Sequence, residues 1–194
     1  PGVTGRLPHL SVFLAYRDSA RRRAALQAPV GAAERYCLFG LDELAVRGVA
    51  VRHNLEAEPP AWARALDRAL NRLLYGLGGY GGDFARVLPS LGPANQADVV
   101  LSTVDTVGIP LALLARAGIL RPPLVYIAVG LPERLERLRD GPVRRLYASA
   151  LRSADTIVAY SAYEAEALRC ALGHTRVQFI PFGVDTDRFR PAPA

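Results

Sequence analysis

The sequence predicts an α/β fold with a doubly wound parallel sheet of about six strands. Short apolar, β-branched runs alternate with helical patterns along most of the chain. These runs are continuous rather than strictly alternating, which is typical of strands buried on both faces of a parallel sheet. The segments between them are long enough for the crossover helices that parallel strands require.

The predicted strands follow one another in a regular order, each separated from the next by a helical pattern. In such a sheet the functional crevice lies beyond the carboxyl ends of the strands, so those ends are where binding residues are expected. The predicted strands cover residues 10–16, 49–53, 98–102, 124–129, 155–160 and 177–181.

Three of the predicted helices have clear sequence signals. The first covers about 31–47 and ends at Gly48, whose lack of a side chain suits a helix terminus. Another begins with a capping box, in which Ser161 precedes Glu164 by three positions. The helix over about 60–75 has arginines on one side and an apolar face on the other, formed by Trp62, Ala65, Leu66, Ala69, Leu70 and Leu73.

The composition limits the classes of protein to which this chain can belong. The 194 residues are 51% hydrophobic and 22% charged, which suits one ordinary domain and excludes a disordered, collagen-like or coiled-coil chain. We find neither an uninterrupted membrane-spanning stretch nor a secretory signal. The two isolated cysteines, Cys37 and Cys170, lie at apolar helical positions and suit a reducing compartment, so we expect a cytoplasmic protein.

The basic residues are all arginines, 24 in number, and give a net charge of +6. This charge suits an anionic partner, but acidic residues are interspersed with the arginines, and nucleic-acid binding needs a clustered basic surface. We therefore expect no nucleic-acid partner. The arginines between Arg134 and Arg145 alternate with leucines, which leaves open either peripheral contact with an anionic membrane or a solvated helix face.

A basic loop is predicted after the first strand. Four arginines in it are candidates for binding a phosphate or a carboxylate, aided by the helix expected to begin near Gly31. A solvated loop without a ligand explains the same residues equally well. The candidate anion-binding residues are Arg17, Arg21, Arg22 and Arg23.

Polar residues and glycines also follow two later strands. Asp105 and Thr106 offer oxygen atoms that a hydroxylated ligand can contact, and a helix N-cap is the alternative role for either. Gly130 permits close approach to the backbone, and Glu133 can accept a hydrogen bond from a ligand hydroxyl or amine. Glu133 equally suits the first turn of a helix.

The sequence contains no recognisable catalytic constellation. A GxGxxG pattern at residues 76–81 follows a helix instead of a strand, so it predicts a flexible connector over the crevice rather than a dinucleotide site. The zinc-binding spacings and the GxSxG elbow are also missing. We predict no cofactor and no metal, and we assign no catalytic residue.

The end of the chain carries the most specific motif. A strand leads into Pro181-Phe-Gly183-Val-Asp185, and Phe189-Arg-Pro191 follows. This pattern resembles the interdomain motif of glycosyltransferase family 4. In that family it forms the hinge between the two domains, so the resemblance assigns Pro181, Gly183, Asp185, Phe189 and Pro191 to a hinge.

Two weaker resemblances extend over most of the chain. Gly31-Ala-Ala-Glu34 resembles the family's Gly-Gly-x-Glu helix, with the second glycine replaced. The strand ending at Ser161 resembles the family's strand before the last helix of the domain. The resemblance therefore implies acceptor-binding roles for Gly31, Glu34 and Ser161, alongside Asp105, Thr106, Gly130 and Glu133.

The resemblance implies the N-terminal half of a GT-B fold, in which two Rossmann-like domains face an active-site cleft. Residues 1–182 would form the acceptor-binding domain and 183–194 the start of the linker. A retaining glycosyltransferase of this kind transfers a sugar to a small molecule or glycoconjugate. The nucleotide sugar would bind a C-terminal domain that the sequence lacks, so the chain alone is expected to be inactive.

A different class of function is compatible with the same sequence. A free-standing Rossmann-like module could bind a nucleotide or an anionic metabolite through the arginines at 17–23 and would need no second domain. Binding of nucleotides by the chain itself separates this alternative from the acceptor-binding domain.

Overall fold

The structure, a computed structural model, describes residues 10–56, 58–138, 140–173 and 176–183. Within these ranges six parallel strands form one sheet in the order β2-β1-β3-β4-β5-β6, which confirms the predicted fold class. Every neighbouring pair runs in parallel, from Ser11↔Ala50 at one side to Ala159↔Phe179 at the other. The strands are β1 (Ser11–Ala15), β2 (Ala50–His53), β3 (Val99–Ser102), β4 (Leu124–Ile127), β5 (Thr156–Ala159) and β6 (Val177–Phe179).

Helices flank the sheet and connect its strands. Between β1 and β3 the chain forms α1 (Ala20–Gln27), a 3-10 helix (Ala33–Leu38), α2 (Leu41–Val46), α3 (Ala61–Gly76), α4 (Phe84–Val87), a second 3-10 helix (Leu88–Ser90) and α5 (Leu91–Asn95). The later connections are α6 (Asp105–Arg116), α7 (Leu131–Arg137), α8 (Pro142–Leu151) and α9 (Ala162–Leu172). Within the described residues no helix combines the length and apolarity needed to cross a bilayer.

The first strand shows why its apolar residues are continuous. Phe13 and Ala15 belong to the larger core cluster, which includes residues of α6, α8 and α9. Val12 and Leu14 belong to a second cluster that contains Leu38. Successive side chains of a strand point to opposite faces, so β1 buries both faces as the sequence predicted.

Two predictions about the segment after β1 are wrong. Arg21, Arg22 and Arg23 lie in α1, capped by the Ser19 hydroxyl at 3.2 Å, instead of in a loop. The single helix predicted over 31–47 is interrupted, because Phe39 and Gly40 both adopt positive φ angles of 24° and 80°. Such angles are incompatible with a continuous right-handed helix.

The helix predicted over 60–75 is confirmed as α3, but its apolar face is turned outward. Trp62 and Leu73 are 56% and 57% exposed, whereas Ala63 and Leu74 are buried. The side of α3 that packs against the core is therefore rotated by about a quarter turn from the side that has most of the apolar residues. Cys170 also lies at an exposed position rather than a buried one.

The glycine-rich segment after α3 is packed against its neighbours instead of forming the expected flexible connector. The Tyr80 backbone N–H donates to the Tyr147 hydroxyl at 2.9 Å, and that hydroxyl donates to the Tyr80 carbonyl. A Cβ at Gly79 would lie 2.9 Å from the Tyr147 ring, and one at Gly81 would overlap Asn71. Gly79 therefore allows this segment to lie close to α8, and Gly81 allows it to lie close to α3.

Gly108 provides a test of the packing between α6 and the sheet. A Cβ at Gly108 would lie 2.5 Å from the ring of Tyr126, which is fully buried in β4. We expect Gly108→Ala to lower the free energy of unfolding by about 2 kcal/mol in chemical denaturation. Gly76→Ala is the control, because open space surrounds that helical position and the change should be neutral or stabilise by about 0.5 kcal/mol. Equal effects of the two changes would contradict this packing.

Candidate functional site at the carboxyl edge of the sheet

The strand order defines the place where a ligand is expected. From β1 the chain passes to β2 on one side and then crosses to β3 on the other. The connections at the carboxyl ends of β1 and β3 therefore diverge and leave a crevice between them. The residues that follow β1, β3 and β4 border this edge.

Asp105 is the most enclosed carboxylate at this edge. It is the first residue of α6 and is only 2% exposed. Its Oδ1 accepts hydrogen bonds from the Tyr126 hydroxyl at 2.9 Å and from the Val129 backbone N–H at 3.4 Å. Its Oδ2 has no hydrogen-bond donor among the described residues, although the Arg134 Nε lies 3.5 Å away. The carboxylate thus retains one unused acceptor atom.

The environment of Asp105 raises the pKa of its carboxyl group. Burial raises the pKa of Asp105 to about 6, while the hydrogen bonds from Tyr126 and Val129 and the charge of Arg134 oppose the rise. The carboxyl group therefore exchanges its proton close to neutral pH. Acids with pKa values raised by burial in this way are often found at functional sites.

The residues that follow β4 and β5 are hydrogen-bonded to each other at this same edge of the sheet. The Gly130 backbone N–H donates to the Glu164 carboxylate at 3.1 Å, and the Glu164 N–H donates to the Ser161 hydroxyl at 3.0 Å. Ser161 is the N-cap of α9, which confirms the predicted capping role. We call Asp105, Gly130, Arg134 and Glu164 the strand-end cluster. It combines carboxylates, which accept hydrogen bonds, with a guanidinium, which donates them, and a hydroxyl group can do both.

A second polar cluster lies beside the first, at the ends of β1 and β2. Arg86 is 3% exposed and contacts the carboxylates of Asp18 and Glu58, the latter at 3.2 Å. Arg23 also pairs with these two carboxylates. Sequence reasoning missed Arg86 because an arginine within a short helical segment gives no signal of burial. Its only sequence cue is the Asp83 that caps α4 three residues earlier.

Three of the four arginines proposed as an anion site have side-chain partners within the protein. Arg22 donates to the carbonyl oxygens of Arg17 and Cys37 at 2.8 and 3.3 Å, and Arg21 donates to the Tyr36 hydroxyl. Together with the contacts of Arg23, these interactions support the 3-10 helix and the start of α3. The binding of an anion by Arg17, Arg21, Arg22 and Arg23 stays a prediction.

The remaining predicted site residues are spread over several places. Thr106 follows Asp105 in α6, where its carbonyl accepts from the Asp83 N–H at 2.8 Å, and neither residue is the N-cap of α6. Glu133 lies exposed in the first turn of α7, as one of its two interpretations predicted. Gly31 and Glu34 are exposed on the segment between α1 and α2.

Part of the predicted hinge can be placed. Pro181 and Gly183 lie exposed beyond the end of β6. Asp185, Phe189 and Pro191 lie outside the described residues. In the part of the chain that the structure describes, no three His, Cys, Asp or Glu side chains are arranged to hold a metal ion.

The fold and this edge define a Rossmann-like α/β domain whose polar groups collect at the carboxyl ends of its strands. The sequence profile described as Glycosyltransferase Family 4 matches residues 33–188. This match covers most of the chain, so the chain belongs to Glycosyltransferase Family 4. No curated protein matches the chain in a sequence search.

The buried Arg86 gives a test of the second polar cluster. Arg86→Met would remove the closer of the two arginines that contact Asp18 and leave Arg23, at 3.5 Å, as its charged partner, so we expect a loss of about 2 to 3 kcal/mol in unfolding free energy by urea denaturation. Arg144→Met removes an exposed pair with Asp140 and should cost less than about 1 kcal/mol. A loss below 1 kcal/mol for Arg86→Met would show that this cluster does not support the fold.

Proposed function

We propose that the chain is the acceptor-binding domain of a retaining glycosyltransferase and that the acceptor binds at the strand-end cluster. A second domain supplies the nucleotide sugar in this proposal. The family to which the chain belongs supports glycosyl transfer as the reaction class. The observation that carries the choice of site is the unused Asp105 Oδ2, which is buried at the carboxyl edge and has no hydrogen-bond donor in the part of the chain that the structure describes.

The chemistry of the strand-end cluster suits a sugar or polyol acceptor. A hydroxyl group both donates and accepts hydrogen bonds. The Asp105 carboxylate would accept a hydrogen bond from such a hydroxyl, and the Arg134 guanidinium would donate one to it. Arg134 also lies over the ring of Tyr80, with 5.5 Å between the guanidinium carbon and the ring centroid.

A site of this kind must open to the ligand. The Arg134 side chain is 41% exposed and lies over Asp105, which itself is almost fully enclosed. Rotation of this long side chain would expose Oδ2 without moving the backbone of α7. The acceptor hydroxyl would then replace the weak 3.5 Å contact between Arg134 and Asp105.

The proposal also assigns the location of the reaction and the source of its donor. The two isolated cysteines suit the cytoplasm, where nucleotide sugars are available as activated donors. The leaving nucleoside diphosphate requires electrostatic stabilisation, which we assign to the second domain. The arginines of α1 are bound to protein groups and serve the fold in this account.

The first test is a calorimetric titration of the chain with nucleoside diphosphates and nucleotide sugars. The proposal predicts dissociation constants above about 1 mM, because the donor contacts belong to another domain. Micromolar binding would contradict the proposal. It would favour a nucleotide-binding module that uses the arginines of α1.

The second test uses a protein that joins the chain to a donor-binding domain. We expect Asp105→Asn to lower kcat/KM for sugar transfer by about 10- to 100-fold, the effect of losing a hydrogen bond to a charged group. Asp155→Asn is the matched control, because Asp155 accepts from the Leu124 N–H at 3.0 Å on the opposite edge of the sheet. Equal rates for the two variants would place the acceptor elsewhere.

A further inference from the structure

Arg134 is the cation of the strand-end cluster, and its contact with the buried carboxylate is loose. Its Nε lies 3.5 Å from the unused Oδ2 of Asp105, which is longer than a good charge-assisted hydrogen bond. Its guanidinium carbon lies 5.5 Å from the centre of the Tyr80 ring. The Arg134 side chain is 41% exposed, whereas that of Asp105 is 3% exposed. A displaceable arginine therefore lies against a buried carboxylate and an aromatic ring.

A second carboxylate adds negative charge beside Asp105. The Glu164 carboxylate accepts from the Gly130 N–H at 3.1 Å, and Asp105 accepts from the N–H of the preceding residue, Val129, at 3.4 Å. The two carboxylates thus bind consecutive backbone N–H groups. Burial is the main cause of the raised pKa of Asp105, and the negative charge of Glu164 raises that pKa further. The cluster therefore has an excess of negative charge when Arg134 turns away.

This charge restricts the kind of group that can replace Arg134. An ionised carboxylate enclosed in protein is costly unless a cation or strong hydrogen-bond donors compensate it. With a pKa of about 6, most Asp105 carboxyl groups are ionised at pH 7. A neutral hydroxyl in the place of Arg134 would leave Asp105 and Glu164 without a cation. A protonated amine would restore the positive charge and bring three donors.

The Tyr80 ring supplies a second element of a cation site. The face of an aromatic ring attracts ammonium and guanidinium groups through its quadrupole. The backbone that carries this ring is held independently of Arg134, because the buried Tyr147 hydroxyl accepts from the Tyr80 N–H at 2.9 Å and donates to the Tyr80 carbonyl. The carboxylate and the aromatic residue thus keep their places when Arg134 moves.

We propose that Arg134 fills a subsite for an ammonium group and that the acceptor presents a protonated amine there in its place. The acceptor is then an amino sugar or an amino polyol, whose amine contacts Asp105 and Tyr80. This inference rests on the proposed function, because it takes the strand-end cluster as the acceptor site. It narrows the group that replaces Arg134 from a hydroxyl to an amine. Arg134 thereby acts as an internal competitor of the acceptor.

The test is an NMR titration of the chain with glucosamine and, in parallel, with glucose, which has a hydroxyl in place of the amine. The reporters are the amide signals of Val129 and Gly130, whose N–H groups donate to the two carboxylates. At pH 7 we expect glucosamine to bind about tenfold more tightly than glucose, which is the effect of a hydrogen bond to a charged group.

The preference for the amine should depend on pH. Lowering the pH from 7 to 5 should weaken glucosamine binding about tenfold and change glucose binding little, because Asp105 takes up a proton as the pH falls through about 6. The other titratable or charged groups that face Asp105 are Tyr126 from β4, Arg134 from α7 and Glu164 from α9. Asp105→Asn should remove this pH dependence, which assigns it to Asp105 itself.

A variant of Arg134 separates an internal competitor from an ordinary ion-pair partner. Arg134→Gln should tighten glucosamine binding about two- to fivefold, because the amine no longer has to displace a partly exposed ion pair. Glucose should gain nothing from this change. Arg137→Gln is the matched control, since it makes the same change of net charge at an exposed position of the same helix. It should bind both sugars as the parent chain does.

Three results would overturn the inference. Equal binding of the two sugars at pH 7, with shifts at Val129 and Gly130, would refute the amine and leave the acceptor site of the proposed function intact. Unchanged or weaker binding of glucosamine by Arg134→Gln would show that Arg134 does not occupy the place of the amine. The absence of shifts with either sugar would overturn the inference and the proposed acceptor site together.

Discussion

The hydrogen bond from the Tyr126 hydroxyl to Asp105 joins the start of α6 to β4, and the strand-end cluster depends on it. Tyr126 reaches this position because it pairs with Ser102 in the sheet and lies beneath Gly108, where a side chain would not fit. Burial raises the pKa of the Tyr126 hydroxyl well above its ordinary value, so it acts as a hydrogen-bond donor at neutral pH. The same burial keeps the Asp105 carboxyl away from bulk solvent.

A comparable arrangement connects the first two strands. The Asn54 side chain accepts from the Tyr16 N–H and donates to the Tyr16 carbonyl, both at 2.8 Å, immediately beyond the ends of β1 and β2. The Thr103 hydroxyl donates to the Ala15 carbonyl at 3.0 Å and so joins β3 to β1. Side chains thus continue the pairing of the backbone at the carboxyl edge. They fix the positions of the loop that carries Asp18 and of the start of α6, which carries Asp105.

The sequence predicted the strands well because parallel strands buried on both faces need continuous apolar runs, as in β1. It predicted less of the helices. The arginine-rich α1 has no apolar stripe from which a helix could be inferred, and the break after Leu38 depends on the backbone angles of Phe39 and Gly40. The apolar pattern of α3 gave the helix but not the side that meets the core. That choice depends on Asn71 and Asp67, whose hydrogen-bond partners come from a later segment.

The sequence predicted only those residues of the candidate site that directly follow a strand. Asp105 and Gly130 follow strands, so the topology alone places them at the carboxyl edge. Arg134 and Glu164 join them only through contacts between helices that are distant in sequence. Arg86 could not be predicted, because burial of an arginine depends on carboxylates contributed by two other connections.

The arginines of the chain serve several purposes, which explains why net charge alone identified no partner. Arg35 illustrates the structural use, since it donates to the carbonyls of Ala25, Leu26 and Ala28 and pairs with Asp42 at 2.6 Å. The interaction lowers the pKa of the Asp42 carboxyl, with the hydrogen bond from Arg35 as the main cause. Other arginines, such as Arg64 in α3, are exposed to solvent. The local environment of each arginine therefore carries more information than their number.

The enclosure of Asp105 makes a specific contribution to stability. Because its folded pKa of about 6 lies above the ordinary value of 3.8, the folded protein holds a proton that the unfolded chain releases over this pH range. The resulting stabilisation is complete below the unfolded pKa and is lost as the pH rises through the folded pKa. Its size is about 3 kcal/mol, from a rise of roughly two pH units.

The most direct measurement compares the unfolding free energies of the parent chain and Asp105→Asn between pH 4 and pH 7, because asparagine cannot titrate. The account predicts that the parent loses about 2 kcal/mol relative to the variant as the pH rises across this range. A difference between the two proteins that stays constant with pH would contradict a buried Asp105 with a raised pKa. It would remove the central feature of the candidate site.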